Sequence, residues 1–439
     1  MTSLFRTILG AAFIALASLP AKAATDIVEV TSPGGITAWL VEEHAIPMLA
    51  IELNFRGGAV LDPVGQEGVT TLMMGLLEEG AGEYDASAFL QATETLAARF
   101  RFNTGQDSVN VSAQMLTENR TESLALLRVA LTQPRFDAVD VERVRRQMLS
   151  GLDSDATDPD AIAFEAFRNA AYGQHPYVRN TDGTRESVTA LDQAALRDAH
   201  ARALSRDNVV IGVVGDITAE ELGPLLDELL GDLPLQPAFS VPRADVLLTA
   251  AINVIDFPTP QAVALFGHQG LSRDDPDYLT AFVVNHIFGG RVVTSRLNQA
   301  LREERGLTYG VGTSLSPMDY AALITGRFSS TSDSMPDAIA VLRDEWARIA
   351  DGVTEDELNV AKTYLTGNYP LQFDSNGEIA RAITGFQIAG LPRDYIETRN
   401  ENVMALTLDE VNRVAKRLFD PSRLNIIVVG QPVGLESQR

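Results

Sequence analysis

Arg302 and Tyr309 stand seven residues apart in LNQALREERGLTYGVG (297–312). A guanidinium is a fixed cation with a fork of donors, and a phenol carries one hydroxyl donor. Both groups can donate hydrogen bonds, the arginine as a permanent cation, but nothing in the residues themselves names an acceptor. The plainer reading makes Arg302 a surface charge on a helix ending at Gly306, and Tyr309 the start of the next strand. No other motif in the chain carries complete chemistry. No two of the histidines, His44, His175, His200, His268 and His286, fall within one helical turn, and none belongs to an H-E-x-x-H arrangement. Cysteine is absent, which excludes thiolate metal sites and cysteine nucleophiles. There is no G-x-S-x-G elbow and no lysine-bearing phosphate loop. With 59 acidic residues in the chain, adjacent pairs such as Glu78-Glu79 read as solvated faces.

The elements that must position Arg302 and Tyr309 belong to a repeated pattern. Residues 191–216, LDQAALRDAHARALSRDNVVIGVVGD, lie without a gap on residues 406–431, LTLDEVNRVAKRLFDPSRLNIIVVGQ. Each copy reads as an amphipathic helix, a turn and an apolar strand ending at glycine. Upstream, residues 140–151 lie on 356–367 at nearly the same offset. This is an internal duplication into halves of about 200 residues, an ordinary domain size. The predicted boundaries are 24–235 for the first half, a proline-rich linker over 236–248, and 249–439 for the second half.

Within the halves, MLAIELNFR (48–56) alternates apolar and polar residues, as a strand with one buried face does. With 36–43 it suggests a hairpin, and 251–270 suggests another strand pair. Helices are predicted over 67–79, 86–99, 119–132, 137–153 and 159–171, and near 275–288, 294–305, 335–351 and 354–368. The fold class is therefore α+β: two homologous halves, each an antiparallel sheet covered by helices on one face.

Composition bounds the setting. Residues 1–23 have an early Arg6, a short apolar run and an Ala21-Lys22-Ala23 cleavage signal, which reads as a secretory leader and not a membrane span. A periplasmic location is expected. The chain carries 35 Lys+Arg against 59 Asp+Glu, a formal net charge of −24. Such a surface repels phosphate backbones and argues against nucleic-acid binding.

The segment GGRVVTSRLNQALREERGLTYGVG (289–312) resembles the hallmark of the second half of the M16 (pitrilysin, insulinase and mitochondrial processing peptidase) family of zinc metallopeptidases. RGGAVLDPVGQEGVTTLMMGLLEEGAGEYDA (56–86) is similar to the part of the first half that carries the zinc helix in that family. The resemblance implies paired halves of one fold, as the duplication does. It also implies an H-x-x-E-H helix, but the matching positions are Thr71, Leu72, Met73, Met74 and Gly75, and the third-ligand region is Ser150-Gly151. No zinc is therefore expected on this chain. Arg302 and Tyr309 fall on the family's Arg/Tyr pair, and the resemblance implies that they contact a peptide carbonyl or the adjacent substrate backbone and stabilise the charge that develops on the oxygen under attack, with no change in their own protonation. The resemblance then implies a zinc-less subunit that lends this pair to an H-x-x-E-H-bearing, zinc-holding partner in a periplasmic heterodimer. Unstructured peptides would be its substrates, bound along a sheet edge. Gly289 and Gly290 resemble part of a substrate-binding glycine-rich loop, although a helix cap is the plainer reading. The alternative is an inactive peptide-binding or assembly protein of the same fold.

Overall fold

The structure, a computed structural model, describes residues 26–235 and 239–438. The leader expected over 1–23 and the first three linker positions lie outside the described residues. The first half runs β1 (Val28–Thr31), β2 (Thr37–Glu42), β3 (Met48–Arg56), α1 (Val69–Gly75), β4 (Gly80–Ala81), β5 (Tyr84–Asp85), α2 (Ala86–Thr95), β6 (Arg99–Thr104), β7 (Ser108–Leu116), α3 (Arg120–Thr132), α4 (Ala138–Asp155), α5 (Pro159–Tyr172), α6 (Arg185–Ala190), α7 (Gln193–Ala203), β8 (Val209–Gly215) and α8 (Ala219–Leu230). The second runs β9 (Ala251–Asp256), β10 (Gln261–Gln269), α9 (Tyr278–Gly289), a π-helix (Asn298–Glu303), β11 (Val311–Pro317), β12 (Ala322–Thr331), α10 (Met335–Ala350), α11 (Glu355–Asn368), α12 (Asn376–Ile388), α13 (Tyr395–Ala405), α14 (Leu408–Leu418) and β13 (Asn425–Gly430).

The two large sheets have the same plan. The first is ordered β1-β2-β8-β3-β7-β6 and the second β11-β12-β10-β13-β9. Read from the opposite edge, β6-β7-β3-β8-β2 matches β11-β12-β10-β13-β9 strand for strand. In each sheet the same pair is parallel, β2 with β8 and β13 with β9. The helix–strand repeat seen in the sequence is therefore α7–β8 against α14–β13, both ending at glycine with positive φ, Gly215 and Gly430.

The predicted hairpin of 36–43 with 48–56 is not formed. β8 lies between β2 and β3, parallel to one and antiparallel to the other. β13 separates β9 from β10 in the same way. Local alternation shows that two segments are strands, but not which third strand comes between them. The helix expected over 294–305 is also different, because its centre is the π-helix.

Each half covers one face of its own sheet. Leu49, Ile51, Leu53 and Phe55 of β3 join a core with α1, α3, α7 and α8. Phe266 of β10 packs edge-on to Trp346 of α10 at 5.8 Å between ring centroids in the second core. The opposite faces take helices exchanged between halves. From the second half, α12 sets Ala380 and Ile383 against Trp39, Val41, Ala50 and Val214 of the first sheet. In return, α5 sets Ala163, Phe167 and Ala171 against Val263, Leu265, Ile427 and Val429 of the second. The second face of β3, expected to be solvated, is consequently closed: Glu52 is buried, accepting hydrogen bonds from Ser112 Oγ at 2.6 Å and Asn110 Nδ2 at 3.0 Å.

Candidate functional site

The helix matched to the zinc motif is α1. Gly68 caps it in the left-handed region (φ +87), where a Cβ would come within 2.7 Å of the Asp182 carbonyl oxygen. Asp62 holds the helix start by accepting the Gly68 N–H at 3.0 Å and the Thr70 hydroxyl at 2.5 Å. Burial pushes the Asp62 carboxyl up to about 6, against the lowering effect of these donors and of Arg202. The side chains beyond the cap do not form a metal site. Thr71 donates its hydroxyl to the Thr181 carbonyl at 2.7 Å. Leu72, Met73 and Met74 are fully enclosed in the first-half core. Gly75 has no side chain, and the nearest atom a Cβ there would meet is Val144 Cγ1 at 3.5 Å. Ser150 lies on α4, exposed. A hydroxyl already donating, a core thioether and a bare glycine are a poor donor set for Zn²⁺, which takes imidazole, thiolate and carboxylate. The residues present do not fit the metal that the resemblance implies. No cluster of three or more His, Cys, Asp or Glu side chains suited to a metal occurs among the described residues.

The histidines serve locally. His200, part-buried in the last turn of α7, bonds the Leu131 carbonyl, and desolvation lowers its pKa. His268 bonds the Gln269 carbonyl and packs edge-on to Trp346, again with its pKa lowered by burial. His286 stacks on Tyr364 with ring centroids 5.0 Å apart. Exposed His44 sits between Asp216 and Glu42, and the hydrogen bond to Asp216 raises its pKa first. His175 caps the turn at Pro176–Val178.

Arg302 and Tyr309 lie on the two sides of the turn that joins the π-helix to β11. Asn298 fixes this joint: buried, its Nδ2 donates to the Val311 carbonyl at 2.9 Å and to Ser295 Oγ at 3.0 Å. The Leu307 N–H reaches back over six residues to the Leu301 carbonyl at 2.8 Å, and the Gly306 N–H to the Arg302 carbonyl at 3.0 Å. Gly306 is left-handed (φ +62), and Thr308 braces the turn by donating to the Gly310 carbonyl at 3.0 Å. The result projects both side chains outward. Tyr309 is 84% exposed, and the Arg302 side chain is 47% exposed, with Glu303 Oε1 3.4 Å away. Arg302 lines a cleft of about 450 Å³ with Arg291, Asn298, Gly310, Gly312 and Arg327. Tyr309 stands next to the cleft wall at Gly310 and is not part of the lining.

Gly289 and Gly290 are buried at the end of α9. A Cβ at Gly289 would lie 2.2 Å from Thr313 Oγ1, and the Gly290 N–H caps the helix onto the His286 carbonyl at 3.0 Å. The close approach that Gly289 allows is that of the chain's own β11, and Gly290 closes on His286 of its own helix. Sequence reasoning missed Arg291 and Arg327. Arg291 directly follows the glycine pair, and only the fold brings Arg327, from the middle of β12, to the same place.

Two family models match the chain: "Insulinase (Peptidase family M16)" over residues 39–185 and "Peptidase M16 inactive domain" over 190–365. The chain is 25% identical over 390 residues to a non-peptidase homolog, YmxG, of Helicobacter pylori, covering 88% of this chain and 90% of that protein. The crystal structure of a peptidase M16 inactive domain from Pseudomonas fluorescens superposes with a TM-score of 0.87 at 27% identity, covering 94% of this chain and 99% of that one. A chain of complex III2 from Candida albicans has the same fold, with a TM-score of 0.77 at 16% identity over 92% of this chain and 96% of its own.

Proposed function

The chain belongs to the M16 peptidase family and is of its inactive type, and on that premise we propose that it is the zinc-less subunit of a two-chain periplasmic metallopeptidase, to which it contributes Arg302 and Tyr309. The observation that carries this reading is an asymmetry. The positions matched to the metal site are a hydroxyl held by a carbonyl, core methionine and glycine, whereas Arg302 and Tyr309 point away from the chain's own core. A guanidinium and a phenol on an outward turn have no reason of packing to be there.

In this role the Tyr309 hydroxyl and the Arg302 guanidinium donate hydrogen bonds to the carbonyl oxygen of the bond being cleaved, or to the adjacent main chain. The interaction strengthens as negative charge develops on that oxygen. The guanidinium fork also fixes the direction of the carbonyl, which a lysine would not do. The H-x-x-E-H partner would hold the metal, and an unstructured peptide would lie along a sheet edge, read mainly through its backbone. The leader over 1–23 supports export.

The test is reconstitution. This chain and an H-x-x-E-H homologue of similar length are purified separately and together, and cleavage of an unstructured peptide is followed. The reading requires activity from the pair and none from this chain. A stable complex whose cleavage rate equals that of the partner alone would instead support the assembly-protein alternative, which the shared fold with a complex III2 chain makes reasonable.

A further inference from the structure

The cleft beside Arg302 is cationic in a protein whose formal net charge is −24. Three arginines, from the loop after α9, the π-helix and β12, meet there, and they differ in how they are neutralised. Arg327, on β12, makes a two-point ion pair with Asp160 of α5, so its charge is matched across the two halves. Among the described residues Arg302 pairs with its chain neighbour Glu303 alone, at 3.4 Å between two half-exposed side chains, a pair that water weakens strongly. Arg291, exposed after the end of α9, has no carboxylate or hydrogen-bond partner among the described residues. A surface with so many acids available has left this arginine unmatched, against a cavity large enough for several heavy atoms.

The wall of the cleft suits a peptide. Val311, Gly312 and Ser314 belong to β11, an edge strand whose outer side pairs with no other strand among the described residues. Two of the wall residues, Gly310 and Gly312, carry no side chain. A Cβ at Gly310 would meet nothing within 4 Å, and one at Gly312 would touch Arg291 Cγ at 3.4 Å and the Gly289 carbonyl oxygen at 3.5 Å. A main chain can therefore approach β11 closely and bring an anionic group between Arg291 and Arg302. Guanidinium groups take carboxylates in two-point geometry.

We propose that this cleft is a carboxylate subsite: Arg291 and Arg302 bind a carboxylate of a peptide that lies along β11. The carboxylate is either the terminal one or an aspartate or glutamate side chain. The inference rests on the proposed function in taking a peptide as the ligand and in using Arg302, whose five N–H donors can serve a subsite carboxylate as well as a neighbouring main-chain oxygen; its test varies Arg291 and uses binding by this chain alone, without a partner or turnover.

The full chain is titrated by fluorescence anisotropy with four labelled forms of one unstructured peptide. These carry a free or amidated C-terminus, each with either one internal glutamate or glutamine. The free-acid or glutamate form is expected to bind at least about tenfold more tightly than the amidated glutamine form, and whichever wins identifies the source of the carboxylate. Arg291→Gln should abolish that preference while leaving the weak binding of the neutral peptide, and circular dichroism would report its fold. Gly310→Leu, which adds bulk in open space, should weaken all four forms. Inorganic phosphate competing as well as the peptide would show a site for small anions only and overturn the proposal. Equal binding of all four forms, an unchanged preference in Arg291→Gln, or no binding of any form would also overturn it. None of these outcomes bears on whether the paired enzyme needs Tyr309, so the two readings fail separately.

Discussion

At the scale of single residues, Asp62 shows how the helix matched to the family's zinc motif is held in place. Its carboxyl is almost wholly out of water and anchors the start of α1 through Gly68 and Thr70. Its pKa is raised from 3.8 to about 6, chiefly by burial. A carboxyl with a raised folded-state pKa binds its proton more tightly when folded. Its stabilising contribution is complete below about pH 4 and is lost as the pH rises through about 6. The wild type should therefore lose on the order of 3 kcal/mol across that window relative to Asp62→Asn, read as the difference between their urea unfolding curves at pH 4 and 7. A difference that does not vary with pH would contradict the assignment. The residue scale is also where the sequence was most legible for the missing metal site, since the resemblance matches Thr71, Met74 and Gly75 to ligand and base positions and none of them can replace an imidazole or a carboxylate. Where the replacement side chains go could not be read. That Thr71 is held by the Thr181 carbonyl depends on a loop 110 residues away.

At the scale of elements, the alternation in β3 and the 215-residue repeat identified strands and helices well, because period and amphipathicity are local properties. Strand order was not local, and so both apparent strand pairs are split by a late strand, β8 or β13. Nor did the sequence mark α12 as a helix that crosses to the other half. Its apolar stripe is legible, but the surface that it meets lies on strands roughly 170 to 340 residues upstream. Gly212 of β8 records that contact. A Cβ there would lie 2.3 Å from Thr384 Oγ1 and 2.6 Å from the Ala380 carbonyl oxygen. Gly212→Ala should therefore push α12 off the sheet and cost about 1–3 kcal/mol in global stability, with faster proteolysis around α12. An alanine variant as stable and as resistant as the parent would mean that the helix does not sit this close. The π-helix has a similar lesson. Asn298 is an ordinary polar residue in the sequence, and only burial against Val311 makes it the brace that turns Arg302 outward.

At the scale of the molecule, two domain-sized halves are knitted together rather than merely linked. Each supplies a helix to the other's sheet. In addition, the Tyr177 hydroxyl donates to Asp107 in the β6–β7 hairpin and accepts the Tyr320 N–H at 3.0 Å in the equivalent β11–β12 hairpin. Separating the halves would expose two apolar sheet faces, so calorimetry should record one cooperative unfolding transition. Two resolved transitions would show that the exchanged helices contribute little. This rigidity gives the proposed role its geometry, because a turn in the second half can be presented to a partner without moving relative to the first.

The claim on which the account depends is that this chain supplies transition-state contacts to a site completed by another. It is tested most directly by the rate at which the assembled two-chain complex cleaves an unstructured peptide when Tyr309 is changed to Phe. The substitution removes one hydroxyl from a residue that is 84% exposed, so folding and pairing should be unaffected. The account predicts an intact complex with its rate reduced by about 10²–10³. An intact complex cleaving at the parental rate would contradict it.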